Sequence, residues 1–434
     1  MSPLLWQGGP AQKPNFHSVV FNRAADIPAS KSFTSSSPIV VEEPDMSIVK
    51  GPQAFPRSEF LRRLSALKVE MARLEIDALV VGNSSDITYL TGYTAQSGYV
   101  PQGLVVSLRD EEPTFILRRQ DAPAAVHQTF MDRSKIIGYP EALIGNPDKD
   151  GFDAVIDFVN ELGAANRGIG LQLGFLSAKS AEKFTSRLPN ARIVDCTRSI
   201  AWIRMLKSDL EISTMRDAAA IADAGVLKAA EVIRPGVREA DVMAEVAAQL
   251  ARGTNGKAGT DLASMYLCSS PRTGTSHIRW SEDVIRDGSQ INLEIAGVRH
   301  GYVSAIMRTF SVGTPSDRLR RLHDAEVSGL EAALGTVRPR TTCSDVANAF
   351  YRTIEKAGFQ KDSRCGYAIG IDWTEPTASL KDGDLTELKP NMTFHLMLGN
   401  WIEEDFGYVI SETFRVTETG CEVLTKSPRQ LFEL

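Results

Sequence analysis

The run INLEIAGVRHGYVSAIMRTF, residues 291–310, reads as strand, turn, strand. An apolar lead-in suggests the first strand, Gly301-Tyr302 the turn, and SAIMRTF the second strand. The stretch looks built to hold a divalent metal. Yet Glu294 is its one carboxylate, and Ala305 stands where a second acid is expected. The choice is between a metal site that has lost its metal and a different catalyst on the same frame.

On both sides of this hairpin the sequence repeats itself. VIRPGVREADV, beginning at Val232, returns as TVRPRTTCSDV, beginning at Thr336, 104 positions on. Gly225 and Gly329, and Ala229 and Ala333, keep the same offset. Each copy reads as helix, proline turn, helix, followed by β-like sequence, so a duplicated half-domain is expected. Its period is far too long for a solenoid. Ahead of the first copy, Ser208 and Glu211 form an S-x-x-E capping box before an apolar face at Ile212, Met215, Ala219 and Ala222.

Further upstream, Phe60, Leu64, Leu67, Met71 and Leu74 fall at helical spacing, and DALVVG follows as a buried strand. Apolar runs recur at GLVVSL and RGIGLQL, with the helix-like FDAVIDFVNEL between them. Residues 56–200 therefore read as one α/β domain and residues 201–434 as a second, catalytic one. Residues 1–55, rich in Pro, Ser, Lys and Gly, read as a mobile tail or an overlong translation start at which Met46 is an alternative. An organelle transit peptide is disfavoured by Asp26, Glu42, Glu43 and Asp45.

The bulk composition narrows the function classes. The chain has 434 residues, 43% apolar and 24% charged, which is ample for sizeable cores. A net charge of -6 argues against a nucleic-acid partner, which requires a basic face. No run of about 18 apolar residues is present, so no membrane span is expected. The five cysteines are scattered with no CxxC pair, which disfavours a zinc knuckle or a disulfide framework. No charged segment leads an apolar run at the N-terminus, and a reducing cytoplasm is the expected location.

The frame resembles the creatinase and prolidase family of pita-bread hydrolases, over about residues 58–434. The resemblance implies an α/β N-terminal domain and an α+β C-terminal domain, a pseudo-twofold of helices around curved antiparallel strands. WIRMLKSDLEISTMRDAAAIAD is similar to the family's domain junction. Metal-using members carry two Asp, one His and two Glu, which hold two divalent ions close enough to share a water. Here those positions fall on Glu294, Ala305, Tyr367, Met397 and Ser411, with Glu412 one residue beyond the last. Ala and Met do not bind a hard cation and neutral Tyr is a poor ligand, so no metal and no other cofactor is expected. Creatinase works without metal, but its two catalytic glutamates would fall on Met307 and Met397.

The metal-free ectoine hydrolase branch is more similar. Its signature pieces stand here as RCGYAIG (364–370), MTFHLMLGNW (392–401), FGYVISETF (406–414) and SPRQLF (427–432). TGYTAQSGYVPQG resembles the branch's N-terminal loop, although Gln96 and Gly98 replace bulkier aromatics, and IGIDWTEPTASL is shortened. The implied substrate is a small cyclic amidinium bearing a carboxylate, whose ring is opened to an N-acetyl-diaminobutyrate. Its electrophilic carbon lies between two nitrogens, so a Lewis acid is dispensable.

On this reading Glu294 is the expected base or nucleophile. His277, in TSHIRW, is the expected proton carrier, imidazole being the side chain that exchanges protons near neutral pH. Tyr367 would donate a hydrogen bond to the tetrahedral intermediate, and Glu412 would be a second acid or an ion-pair partner. Expected substrate contacts are His395, Trp373 and Trp401 (by cation–π attraction), Glu403 or its neighbour Glu404, and Arg364 for the carboxylate. Tyr93 and Tyr99 are expected to reach the pocket from the N-terminal loop, from the same chain or a partner subunit, since the family suggests a homodimer. Arg308 is expected to be structural, paired with a carboxylate. A metal-dependent Xaa-Pro peptidase and a catalytically inactive binding module stay open as alternatives.

Overall fold

The computed structural model describes residues 48–95 and 97–434. Residues 1–47, most of the stretch read as a tail, lie outside the described residues. The tail reading extended too far. Gly51 N–H donates to His127 O at 2.9 Å, and Phe55 is buried edge-on against Tyr302, with ring centroids 5.8 Å apart.

α1 (Arg57–Arg73) buries Phe60, Leu64, Leu67 and Met71, the stripe its spacing predicts. Then come β1 (Ala78–Val81), α2 (Ser84–Thr91), β2 (Gly103–Ser107), β3 (Thr114–Arg118) and α3 (Ala122–Gln128). β4 (Ile136–Tyr139), α4 (Gly151–Glu161), β5 (Gly168–Leu171), α5 (Ala178–Arg187) and β6 (Arg192–Asp195) complete the layer. The six strands lie in the order β4-β3-β2-β1-β5-β6. β1 pairs antiparallel with β2 and parallel with β5, so the sheet is mixed.

α6 (Ser199–Arg204) carries the chain across to α7 (Asp209–Val232), which starts at the Ser208/Glu211 capping box. α8 (Glu239–Arg252), β7 (Tyr266–Ser269), β8 (Gln290–Arg299) and β9 (Tyr302–Ser311) form the first half of the C-terminal layer. α9 (Asp317–Thr336), α10 (Cys343–Lys356), β10 (Gly366–Ala368), β11 (Ser379–Leu380) and β12 (Thr393–Met397) begin the second. β13 (Asn400–Glu403), β14 (Phe406–Tyr408), β15 (Ser411–Val416), β16 (Cys421–Val423) and β17 (Phe432–Glu433) end it. The duplication is visible in the helices. α8 and α10 each have 14 residues and start at Glu239 and Cys343, the same offset as the sequence repeat.

The β8–β9 hairpin is the axis of this layer. Its turn lies at His300–Gly301, one residue earlier than Gly301-Tyr302, because both residues take positive φ (50° and 81°), as a two-residue primed turn demands. α7 lies directly on β8. A Cβ at Gly297 would come within 2.0 Å of Ala218 O, so only glycine admits the helix there.

Two sheets meet along β9 and β15, and side-chain hydroxyls join them. Met307 N–H donates to Ser411 Oγ (2.7 Å), Val409 N–H to Thr309 Oγ1 (3.1 Å), and Thr413 Oγ1 to Ala305 O (2.8 Å). Hydroxyls thus satisfy buried backbone groups that no strand partner reaches. A polar interface ties the N-terminal layer to this one. Arg63 pairs with Glu211 (3.7 Å), Ser208 Oγ donates to Glu59 (2.9 Å), and Arg204 pairs with Asp86 and Glu375 (3.1 and 2.7 Å).

Candidate active site

Glu294 sits in the middle of β8, opposite Tyr266 on β7 and Met307 on β9. It is 8% exposed, and among the described residues its carboxyl has no hydrogen-bond or ion-pair partner. Burial alone pushes its pKa up to about 8, so in the free protein it keeps its proton at neutral pH. An unpartnered carboxyl in an apolar strand is costly and marks a site rather than a scaffold.

β7 leaves the sheet into a loop that returns as β8, and His277 lies on that loop. Its backbone takes φ 56°, a left-handed conformation uncommon for a residue with a side chain. Its ring stands edge-on to Tyr266, centroids 5.4 Å apart. The loop is pressed against the β13–β14 hairpin, since a Cβ on Gly274 would meet Glu403 O at 2.0 Å. His277, Tyr266, Glu294, Met307 and Trp401 consequently line one cleft. Its free space is about 20 Å³, room for one water.

Behind Glu294 lies a second group. His395 on β12 is fully buried, and burial holds its imidazole down to about 3, so it is neutral. Its Nδ1 is 3.3 Å from Tyr367 Oη and its Nε2 is 2.7 Å from Ser411 Oγ. Trp373 Nε1–H donates to Tyr367 Oη at 3.0 Å. Burial, and then the nearby Glu294 carboxylate, push the Tyr367 phenol up to about 12, so it is a hydrogen-bond donor and not a phenolate. The Arg364 guanidinium lies 4.4 Å from the Tyr367 ring centroid and bonds Ser379 Oγ at 3.1 Å.

Several expected roles need correction. Of its two expected roles, Glu412 takes the ion-pair one and is no free acid. Its Oε1 accepts from Arg308 (2.9 Å) and Arg429 (3.0 Å), and its Oε2 accepts from Thr425. It alternates with Ser411 along β15, so it points to the other side of the strand. Arg308 is structural as expected, and it also donates to the carbonyls of Ser411, Ser427 and Pro428. The SPRQLF segment is therefore a clamp on this ion pair. Glu403 is on the solvent side of its hairpin, paired with Arg318 at 2.6 Å. Trp373 spends its indole N–H on Tyr367 and stands edge-on to His395 (6.2 Å), not open-faced toward a cation. Tyr93 is packed edge-on to Phe115 (5.0 Å) in the N-terminal core. Tyr99 projects outward with its hydroxyl on Arg118, and neither tyrosine lines the cleft of its own chain.

Tyr266 was missed by sequence reasoning. Only its strand register with Glu294 reveals it.

Residues 63–206 match the Creatinase/Prolidase N-terminal domain and residues 213–418 match Metallopeptidase family M24. The chain belongs to this family of hydrolases. An uncharacterized hydrolase/peptidase, y4tL, of Sinorhizobium fredii is 85% identical over 89% of this chain and 99% of its own length. The ectoine hydrolase of Halomonas elongata is 34% identical over 87% of this chain and 98% of its own. The X-Pro aminopeptidase of Thermotoga maritima shares the fold, with a TM-score of 0.75 and 21% identity over 86% of this chain and 99% of its own.

The family implies a metal, and the residues here do not fit one. Ala305 has no donor atom, Met397 offers a soft thioether, and Tyr367 and Ser411 are both bonded to His395. Among the described residues no cluster of three His, Cys, Asp or Glu is arranged to hold an ion.

Proposed function

We propose that the chain is a metal-independent hydrolase that opens the ring of ectoine, or of a closely related cyclic amidinium carboxylate. The observation that carries this reading is the unpartnered Glu294 carboxyl beside His277 and Tyr367, at the position where the family places its first metal ligand. The 34% identity to an ectoine hydrolase over nearly the full length supports the substrate class.

An entering amidinium supplies the positive charge that Glu294 lacks. The ion pair lowers the carboxyl's pKa, and its proton leaves to solvent or to His277. The Glu294 carboxylate then removes a proton from water as the oxygen bonds to the amidine carbon, or it attacks that carbon itself and water afterwards cleaves the Glu294–carbon adduct, leaving its oxygen on the substrate and freeing the carboxylate. In either route one carbon–nitrogen bond breaks, the electron pair stays on nitrogen, and His277 delivers the proton that nitrogen takes up. The product is an amide and a free amine, an N-acetyl-diaminobutyrate. Tyr367 donates to the oxygen gained by the carbon, Arg364 receives the substrate carboxylate, and Trp401 covers the cationic ring. The cleft has to widen to admit a ring, and Trp401 on the β13–β14 hairpin forms part of its wall.

The test is incubation of the EDTA-treated protein with ectoine, followed by proton NMR. An acetylated diaminobutyrate is the expected product. No reaction with ectoine, together with manganese-dependent cleavage of a proline dipeptide, would overturn the proposal in favour of a peptidase.

A further inference from the structure

We infer that Ser411 and His395 are positioning residues that set the direction of the Tyr367 hydroxyl, making it a one-way hydrogen-bond donor toward the Glu294 side of the cleft. The inference rests on the proposed hydrolase reading for its purpose but not for its geometry.

The polarity follows from which groups are able only to donate. The Met307 amide is such a group, and it donates to Ser411 Oγ at 2.7 Å. Ser411 is fully buried, and among its described partners the only acceptor for its own proton is His395 Nε2, also at 2.7 Å. A neutral imidazole that accepts at Nε2 carries its proton on Nδ1. Nδ1–H then donates to Tyr367 Oη across 3.3 Å. The Trp373 indole N–H, again only a donor, occupies the same oxygen at 3.0 Å. Both acceptor directions of the phenol are filled, so its proton must point away from His395 and Trp373. The Glu294 carboxyl lies close enough to act on the phenol, which places it among the groups that the remaining direction can face.

The relay also explains why a histidine is buried without a charge partner. Tyr367 and Ser411 stand at two of the five positions where metal-using relatives place ligands, and the His395 ring bridges them. A preset neutral donor there stabilises an oxygen that develops charge, without reorganisation at the moment of reaction.

The experiment is nitrogen NMR of protein labelled with 15N-histidine, with the His395→Asn spectrum assigning the signal, alongside steady-state kinetics on ectoine. The expected wild-type spectrum shows protonated Nδ1 and bare Nε2, unchanged across pH 6–9. Ser411→Ala should shift the tautomer toward Nε2–H and lower kcat roughly tenfold or more, short of the 10²–10³ loss expected for removing the donor itself. KM should stay nearly constant, and Ser411→Thr, which keeps the hydroxyl, should restore both readouts. A wild-type Nε2–H tautomer would overturn the relay whatever the activity. The expected tautomer with an unchanged kcat in Ser411→Ala would overturn its positioning role. A wild-type protein inert toward ectoine would remove the substrate assignment alone, because the tautomer measurement decides the relay without turnover.

Discussion

Glu294 on β8 stands directly across from Met307 on β9, so the only carboxyl of the hairpin faces a thioether and no cation. The folded chain holds this proton up to about pH 8, whereas an unfolded carboxyl releases it near 4.5. The folded state is therefore favoured below that range and loses stability as pH rises from about 4.5 to 8. At about 1.4 kcal/mol per pKa unit, the loss is of the order of a few kcal/mol above pH 8. Glu294→Gln removes it. Urea unfolding should show the variant ~1–4 kcal/mol more stable than wild type at pH 8.5 and nearly equal at pH 5, while turnover is abolished. Parallel stability curves for the two proteins would mean that Glu294 is ionised and partnered.

His277 is exposed and left-handed, so it contributes little to folding. Asparagine tolerates the same backbone conformation. His277→Asn should leave the melting temperature close to wild type and lower kcat by roughly 10²–10⁴, the range for a lost proton carrier. An unchanged kcat would remove His277 from the chemistry.

Glu412 and Arg308 are each 1% exposed at the side chain and 2.9 Å apart. Removing one partner of such a pair costs about 3–5 kcal/mol, because the other charge stays buried. Glu412→Gln should therefore lower thermal stability sharply, while the protein that remains folded at low temperature keeps near-normal kcat. A stable but inactive variant would restore the acid role that the ion pairs argue against.

Trp401 lines the cleft from the β13–β14 hairpin, and no hydrogen bond ties its ring to Tyr367 or His395. A cation–π contact is worth about 0.5–2 kcal/mol, which corresponds to a KM rise of roughly 2- to 30-fold in Trp401→Ala. The effect on kcat should be smaller. A fall in KM, measured by the same kinetics, would show that the ring obstructs entry more than it binds.

Much of the fold was legible because local signals carry it. The Ser208 capping box, the stripe of α1 and the repeated Arg-Pro turns each report an element from residues close in sequence. β3 and β4 went unread, being short runs without alternation. Within the site, Glu294 was legible as an odd carboxyl in an apolar strand and His277 through the family resemblance of TSHIRW, and the cleft does hold both. Glu412 read as either an acid or an ion-pair partner, and Tyr266 drew no notice.

The sequence by itself determined the two-layer organisation and the duplicated helices, since periodicity and capping are properties of the chain, and the family resemblance added the donor-poor ligand set. Only the tertiary structure decided which buried carboxyl is spent and which is free. Glu294 and Glu412 both lie in buried strands, and Arg308 is sequentially nearer to Glu294. The seam between β9 and β15 nevertheless turns Arg308 toward Glu412, leaving Glu294 without a cation. Ion pairs inside a sheet depend on which strands meet and which face each side chain takes, and those contacts join residues about a hundred positions apart.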